Sequence, residues 1–488
     1  MKFSFINPSP SQESMYMVPT AWPPLGILYC AGVLKAKGIE VSLLDQPAKG
    51  FSLNQTVNWI KKEDPDILGF SVLLSTAKEA PRIAERVKDE NPNITLVFGS
   101  HHSTFNAERI LEKYPFVDIV IRGEGEHTSL EVAEYLERRK DLDNVAGISF
   151  RKNNIIISNP DRQLNKNIDD LPFPDRNLSD AQYVSVIFGA KINTKKFTTL
   201  ISSRGCPFSC SFCGIRKFTR RAWRPRSIEN VMAELEYLRG EGYEQFLFAD
   251  DNFTLNAKRV SRLCRSIKKL GMDIEWFCDS RVDQISYDIL REMVNAGCRC
   301  VFFGMESGNQ RILDYYNKGI MLEQSERAAR KARKAGVDII VGSFIVGAPD
   351  ETPCEILKTL QFANRLDIDV PDVNILGAHV GTDIWNDLVA KGLLNKEQWE
   401  DEVCVPRDVQ TPVPYEEVRS LIFEYFRAFY LNPRQLLTEL LRTSKSSFRI
   451  GAVLQNIAGF PQLIKSLSQA IRRDETKIEL VGKTTSEE

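Results

Sequence analysis

Histidine is scarce in this chain, with four in 488 residues: His101, His102, His127 and His379. None stands near the densest cysteine group, so a mixed Cys/His zinc ribbon has few ligands to draw on. Charge of one sign is also lacking, because 64 basic and 65 acidic residues leave −1. A whole-surface polyanion binder is not indicated, and no nucleic acid is expected as a partner. No long apolar run exists. The best, Val337 to Pro349, is broken by Asp338 and glycines and is too short to span a bilayer. The start, MKFSFINPSPSQES, has no charged region followed by a sustained apolar segment, so no signal peptide is read. The ten cysteines are scattered, unlike the dense framework of a small secreted domain. A reducing cytoplasm is the expected compartment. Solenoid repeats are not visible.

What is present is a globular composition, 43% hydrophobic and 26% charged, over a length that implies two or three domains. KFSFIN, VSLLD, DILGFSVL, ITLVFGS and VDIVIRGEGE read as strands between helical patterns. Strands alternating with helices predict a doubly wound parallel sheet over residues 1–145, because parallel strands need crossovers. Ligands on such a sheet sit at the carboxyl ends of its strands. Residues 146–190, with a hairpin pattern and then DDLPFPDRNLSD, read as a surface linker. A second alternating series of six βα units spans 191–385 and predicts a partial (β/α)6 barrel. Residues 386–488 read as helical, most clearly over 416–442. The fold class expected is therefore α/β with a C-terminal helical region.

Cys206, Cys210 and Cys213 form C-x3-C-x2-C within SSRGCPFSCSFCG, directly after the first expected barrel strand. Thiolates ligate zinc and iron–sulfur clusters alike. Spacing alone leaves a structural metal or unligated cysteines open. A cluster held by only three thiolates leaves one iron free for a substrate or cofactor.

That motif, with Phe212 before its last cysteine and a βα series behind it, resembles the radical S-adenosylmethionine (SAM) superfamily. FADDNFT (248–254), DSRVD (279–283), GMESG (304–308) and GSFIVGAPDET (342–352) resemble its later strand ends, in order. The resemblance implies a [4Fe–4S] cluster on Cys206, Cys210 and Cys213, with SAM on the fourth iron. It places Phe212 and Gly347 near the adenine, and Gly304 and Glu306 at the methionine ammonium. Arg281 or Ser343 would meet the carboxylate or ribose. It also implies reductive cleavage of SAM to a 5′-deoxyadenosyl radical inside a closed barrel mouth.

The N-terminal segment resembles the cobalamin-binding domain that precedes such barrels. Asp45 opens DQPAKG, where many cobalamin proteins carry Asp-x-His-x-x-Gly; here Pro47 replaces the axial histidine, so no lower cobalt ligand can be named. Ser71 and Leu73 match a Ser-x-Leu element. Gly99, His102 and Thr104 match Gly-Gly-x-His-x-Thr, and Gly123 and Glu124 lie in RGEGE.

The leading expectation is a cobalamin-dependent radical SAM methyltransferase acting on an unactivated carbon of a small-molecule, lipid-like or natural-product substrate. A ring-forming or rearranging enzyme of the same architecture is the alternative, and an iron–sulfur electron-transfer or sensing protein a distant one. Flavodoxin or ferredoxin is the expected electron donor. Residues 434–473 carry a net +6 with interleaved leucines. A helical cap on the barrel is the preferred reading of this tail, and docking on the inner face of an anionic membrane the second.

Overall fold

A computed structural model describes residues 1–11, 22–179, 181–187 and 190–457. Its first sheet comprises β1 (Lys2–Asn7), β2 (Glu40–Asp45), β3 (Ile67–Ser71), β4 (Thr95–Gly99) and β5 (Ile119–Ile121), followed by β6 (Ile148–Lys152) and β7 (Ile155–Ser158). The order is β2-β1-β3-β4-β5-β6-β7, parallel from β1 to β5. The strand order reverses between β1 and β3, which opens a crevice at their carboxyl ends.

The hairpin lies in this sheet and not in a surface linker. Ile119 registers with Phe150 in an antiparallel pair, and β6 and β7 complete the edge. Ile148 and Phe150 are buried in the same apolar layer as Phe3, Ile119 and Val132, which is why the strand stays attached. The proline-rich stretch after it is also less superficial than expected. Ile168, Leu171 and Arg176 are buried. Arg176 pairs with Glu234 at 2.7 Å, and Arg226 reaches the same carboxylate at 2.5 Å. Glu234 lies on the helix Ile228–Gly240, with no exposed surface.

The second sheet is β8 (Phe197–Leu200), β9 (Gln245–Phe248), β10 (Glu275–Arg281), β11 (Cys298–Glu306), β12 (Ile339–Val346) and β13 (Val370–Ile375). The strands pair in sequence order, all parallel, and β13 does not return to β8. This is the expected open six-stranded barrel. Alternate residues face helices or lumen. Phe246, Trp276, Cys278 and Phe303 pack outward against the helical layer, while Phe197, Leu247, Phe277 and Val341 meet inside. Phe448 closes this inner cluster from below. It comes from the last described helix, Ser447–Ile457.

The helical region after the barrel is not one long element. The 416–442 pattern resolves into Tyr415–Tyr430 and Pro433–Ser444, because Pro433 cannot continue a helix but suits its first turn. Part of the basic tail is spent on packing. Arg442 pairs with Asp367 and Asp369, and Arg449 with Asp369 and Glu439. Lys465, Arg472 and Arg473 lie outside the described residues. No described helix is long and apolar enough to cross a membrane.

Removing the buried carboxylate in Glu234→Ala strands two guanidinium groups. Unfolding free energy in urea should fall by about 3–5 kcal/mol. A loss near that of an exposed ion pair would show that water reaches both arginines.

Candidate functional site

The cysteine loop is held from the neighbouring strand. Asp250 accepts from the Ser202 amide at 2.6 Å and from the Ser202 and Ser203 hydroxyls at 2.7 and 2.5 Å. Asp251 accepts from the Gly205 amide at 2.7 Å. Gly205 has φ +90, and a Cβ there would lie 2.1 Å from the Ala222 carbonyl oxygen, so only glycine fits before Cys206. Both aspartates lie in FADDNFT (248–254). Their function needs the register of two strands, which one segment does not reveal.

Cys206, Cys210 and Cys213 are half-buried on this loop. Burial pushes the Cys206 and Cys213 thiols up, Cys213 to about 11, and Cys210 adds to both shifts. Such thiols become thiolates only beside the positive charge of a metal centre. Among the described residues, no three His, Cys, Asp or Glu side chains converge tightly enough for one metal ion. Three thiols on one loop are the soft donors that an iron–sulfur cluster takes.

Around the loop the barrel brings several expected residues together. The Arg281 guanidinium lies 3.7 Å from the centre of the Phe208 ring, and its Nη1 is 3.8 Å from Cys210 Sγ. Asp283 holds it through two 3.0 Å bonds. Glu306 ends β11 with φ +64, a left-handed backbone that a non-glycine residue adopts only under constraint. Its carboxylate accepts from Lys318 Nζ at 2.5 Å, with both side chains buried. A Cβ on Gly304 would stand 2.6 Å from Glu306 Oε1 and 2.8 Å from Lys318 Nζ, so glycine makes room for the pair. Lys318 gave no sequence signal, since it reaches Glu306 only through the fold.

Other expected residues are placed differently. Ser343 donates to Asp372 at 2.9 Å on the inner wall. Phe212 meets Tyr316 edge-on at 5.4 Å in the apolar layer shared with the first domain. Gly347 is buried, and its amide donates to Glu351 at 2.6 Å. Ala348 donates to the same oxygen at 3.0 Å, while the other oxygen, Oε1, has no partner among the described residues. Burial lifts the Glu351 carboxyl to about 7.

A cavity of ≈ 290 Å³ opens between the carboxyl end of the first sheet and the cysteine loop. Ser71, Gly99, Gly123 and Glu124 line it, as expected, together with Arg204 and Asp251. Asp45, Leu73, His102 and Thr104 do not. Asp45 is buried and accepts from Asn7 and Tyr183 at 2.9 and 2.8 Å, and Leu73 is exposed over 41% of its surface. Thr104 accepts from the Gly123 amide at 3.0 Å and so braces the cavity rim. His102 turns away and stacks on Trp399, 5.6 Å between centres. Its neighbour His101 faces the cavity, stacked on Phe218 at 4.0 Å. The one-turn helix His101–Phe105 explains the exchange, because successive residues on it point apart. Burial drives both imidazoles down to about 4, so both are neutral at pH 7. His101 Nε2 and the Tyr29 hydroxyl are buried, belong to the cavity and have no partner among the described residues. A glycine-rimmed, largely apolar cavity with two orphaned polar atoms fits a bulky planar cofactor. Pro47, in the short helix Gln46–Lys49, is not part of its lining.

The cavity and the cysteine loop are clamped together. Glu124 pairs with Arg224 at 2.7 Å and with Arg204 at 3.1 Å, and Arg204 also reaches Glu126 at 2.6 Å. Burial pulls the Glu124 carboxyl up, but the Arg224 hydrogen bond and the two guanidinium charges outweigh it and hold it low.

Comparison with known proteins agrees with this geometry. Residues 200–363 match the Radical SAM superfamily and residues 17–133 the B12 binding domain. An uncharacterised methyltransferase of Pyrococcus horikoshii is 34% identical over 442 residues, covering 90% of this chain and 95% of that one. The anaerobic magnesium-protoporphyrin IX monomethyl ester cyclase of Rubrivivax gelatinosus is 29% identical, covering 72% and 63%. Among solved structures, the cobalamin-dependent SAM radical enzyme OxsB, with aqua-cobalamin and SAM bound, superposes with a TM-score of 0.72. Identity there is 20%, over 97% of this chain and 75% of that one.

The raised Glu351 carboxyl makes stability depend on pH. Its contribution is fully present below the ordinary value of 4.5 and is lost as pH rises through about 7. Urea melts of wild type and Glu351→Gln should therefore diverge between about pH 4.5 and 7, the wild type losing on the order of 1–3 kcal/mol more.

Proposed function

Since the chain belongs to the radical SAM enzymes that carry a B12-binding domain, we propose that it methylates an unactivated carbon of a small molecule. The observation that carries this reading is the Arg204 and Arg224 clamp, which sets the cofactor cavity of one domain against the cysteine loop of the other. When bound, the cluster, SAM and cobalamin supply the electron, the hydrogen-abstracting fragment and the methyl group. The chain's own residues hold, orient and enclose. Cys206, Cys210 and Cys213 are the cluster ligands. Glu306, shared with Lys318, receives the methionine ammonium, and Arg281 takes the carboxylate beside Cys210. His101 and Tyr29 offer polar atoms to the corrin, and the Phe448 floor keeps water out from below.

Ring formation is the second reading, supported by the cyclase relative. The mass of the product separates the two: a gain of one methyl supports transfer, a loss of hydrogens supports cyclisation. A small electron carrier such as flavodoxin or ferredoxin is the proposed reductant.

Reconstituted anaerobically with a low-potential reductant, the wild type should release 5′-deoxyadenosine from SAM. Cys210→Ala should lose at least 100-fold of that rate, about 2.7 kcal/mol of barrier. Equal rates in the two proteins would overturn the radical assignment.

Peripheral membrane contact through the tail is part of the same proposal. Leu436, Leu437, Leu440 and Leu441 expose 49–67% of their surface on the helix Pro433–Ser444, beside Arg434 and Lys445. The protein should sediment with vesicles containing phosphatidylglycerol and not with phosphatidylcholine alone, and Leu440→Glu with Leu441→Glu should abolish it. Unchanged sedimentation in the double variant would remove the tail from the membrane.

A further inference from the structure

The inner wall of the barrel changes character above its floor. Phe197, Leu247, Phe277, Cys300 and Val341 are buried against Phe448. Above them, residues of the same inward register keep accessible surface: Asp279, Phe302, Ser343, Asp372 and Asn374. The helices outside the sheet do not account for this, since their neighbours Cys278, Phe303 and Phe344 are fully buried. Above the floor the wall therefore presents an accessible inner face toward the cysteine loop.

Asp279 stands in the middle of that face. Along β10 the inward residues are Phe277 in the floor, then Asp279, then Arg281 beside Cys210. Two residues of strand rise about 7 Å, so Asp279 lies one such step below the guanidinium. Its flank is kept open by Ala249 on β9's extension and by the half-exposed Phe302, its register partner on β11. The other polar groups of the site are committed. Arg281 is tied to Asp283, Glu306 to Lys318, and Asp372 accepts from Ser343 and Asn374. Asp279 has neither a hydrogen bond nor an ion pair with any described residue. Enclosure and the Asp250 and Asp251 charges lift its carboxyl to about 7.

The structure assigns Asp279 as a substrate-facing carboxylate: we propose that it receives a hydrogen-bond donor, a cationic nitrogen or a hydroxyl, of the molecule whose carbon reacts. Asp279 keeps accessible surface and has no partner among the described residues, so its oxygens stay open to a ligand. A donor on the substrate pairs with it and fixes which carbon is turned toward the cysteine loop. The lumen offers no comparable uncommitted cation among the described residues, so an anionic substrate group is disfavoured at this depth. The inference rests on the proposed function only in taking the lumen as the place where substrate lies.

The test is chemical labelling of the full-length chain, which needs neither cluster nor reductant and so stands or falls apart from methyl transfer. A carbodiimide reacts with protonated carboxyls. At pH 7 Asp279 should form a stable adduct several-fold faster than surface carboxylates, the rate should drop by pH 8, and the adduct should vanish in Asp279→Asn. Methylguanidinium and 1-propanol should slow the labelling, and propionate should not. Protection by methylguanidinium alone assigns a cationic donor, and protection by both assigns any donor, hydroxyl included. An unreactive Asp279, or equal slowing by propionate, would overturn the proposal.

Discussion

Everything at this site depends on a group of opposite charges buried between two domains. Arg204 precedes Cys206 by two residues, and Glu124 and Glu126 follow the last parallel strand of the first sheet. Had these side chains been apolar, the domains could slide on a greasy contact. Guanidinium–carboxylate pairs are directional, and leaving one unpaired while buried is expensive. The cavity and the cysteine loop are therefore fixed in register to within a hydrogen-bond length. Around the clamp, Tyr316, Trp385, Trp399 and Val405 from the barrel side share one apolar layer with Phe70, Phe98 and Val120.

The second constraint is backbone strain at a place of use. Glu306 in the left-handed region and Gly304 under the carboxylate show that β11 is bent so that one side chain lies back over its own strand. Lys318 neutralises that carboxylate before any ligand arrives. Any cation that comes to Glu306 therefore has to compete with an internal one.

The fold was legible in the sequence wherever hydrophobic period and strand length agreed, as in KFSFIN or ITLVFGS. It was less legible where an element's partner lay far away. The hairpin at 148–158 looked like a linker because its pairing with Ile119 cannot be seen locally. Sites divided in the same way. The three cysteines, Glu306 and Arg281 carry their chemistry in local motifs, and the fold gathers them. The choice between His101 and His102 turns on one helical step, and Asp45 and Leu73 are directed elsewhere by partners that the motif does not contain. Lys318, Asp251 and Asp279 emerge only once inward and outward faces are assigned.

The Phe448 floor makes the barrel a cup and not a tube. The first domain is clamped across the rim of that cup, while the edge between β8 and β13 stays unpaired. Opening the rim means parting two bodies joined by buried arginines and a tryptophan-rich seam.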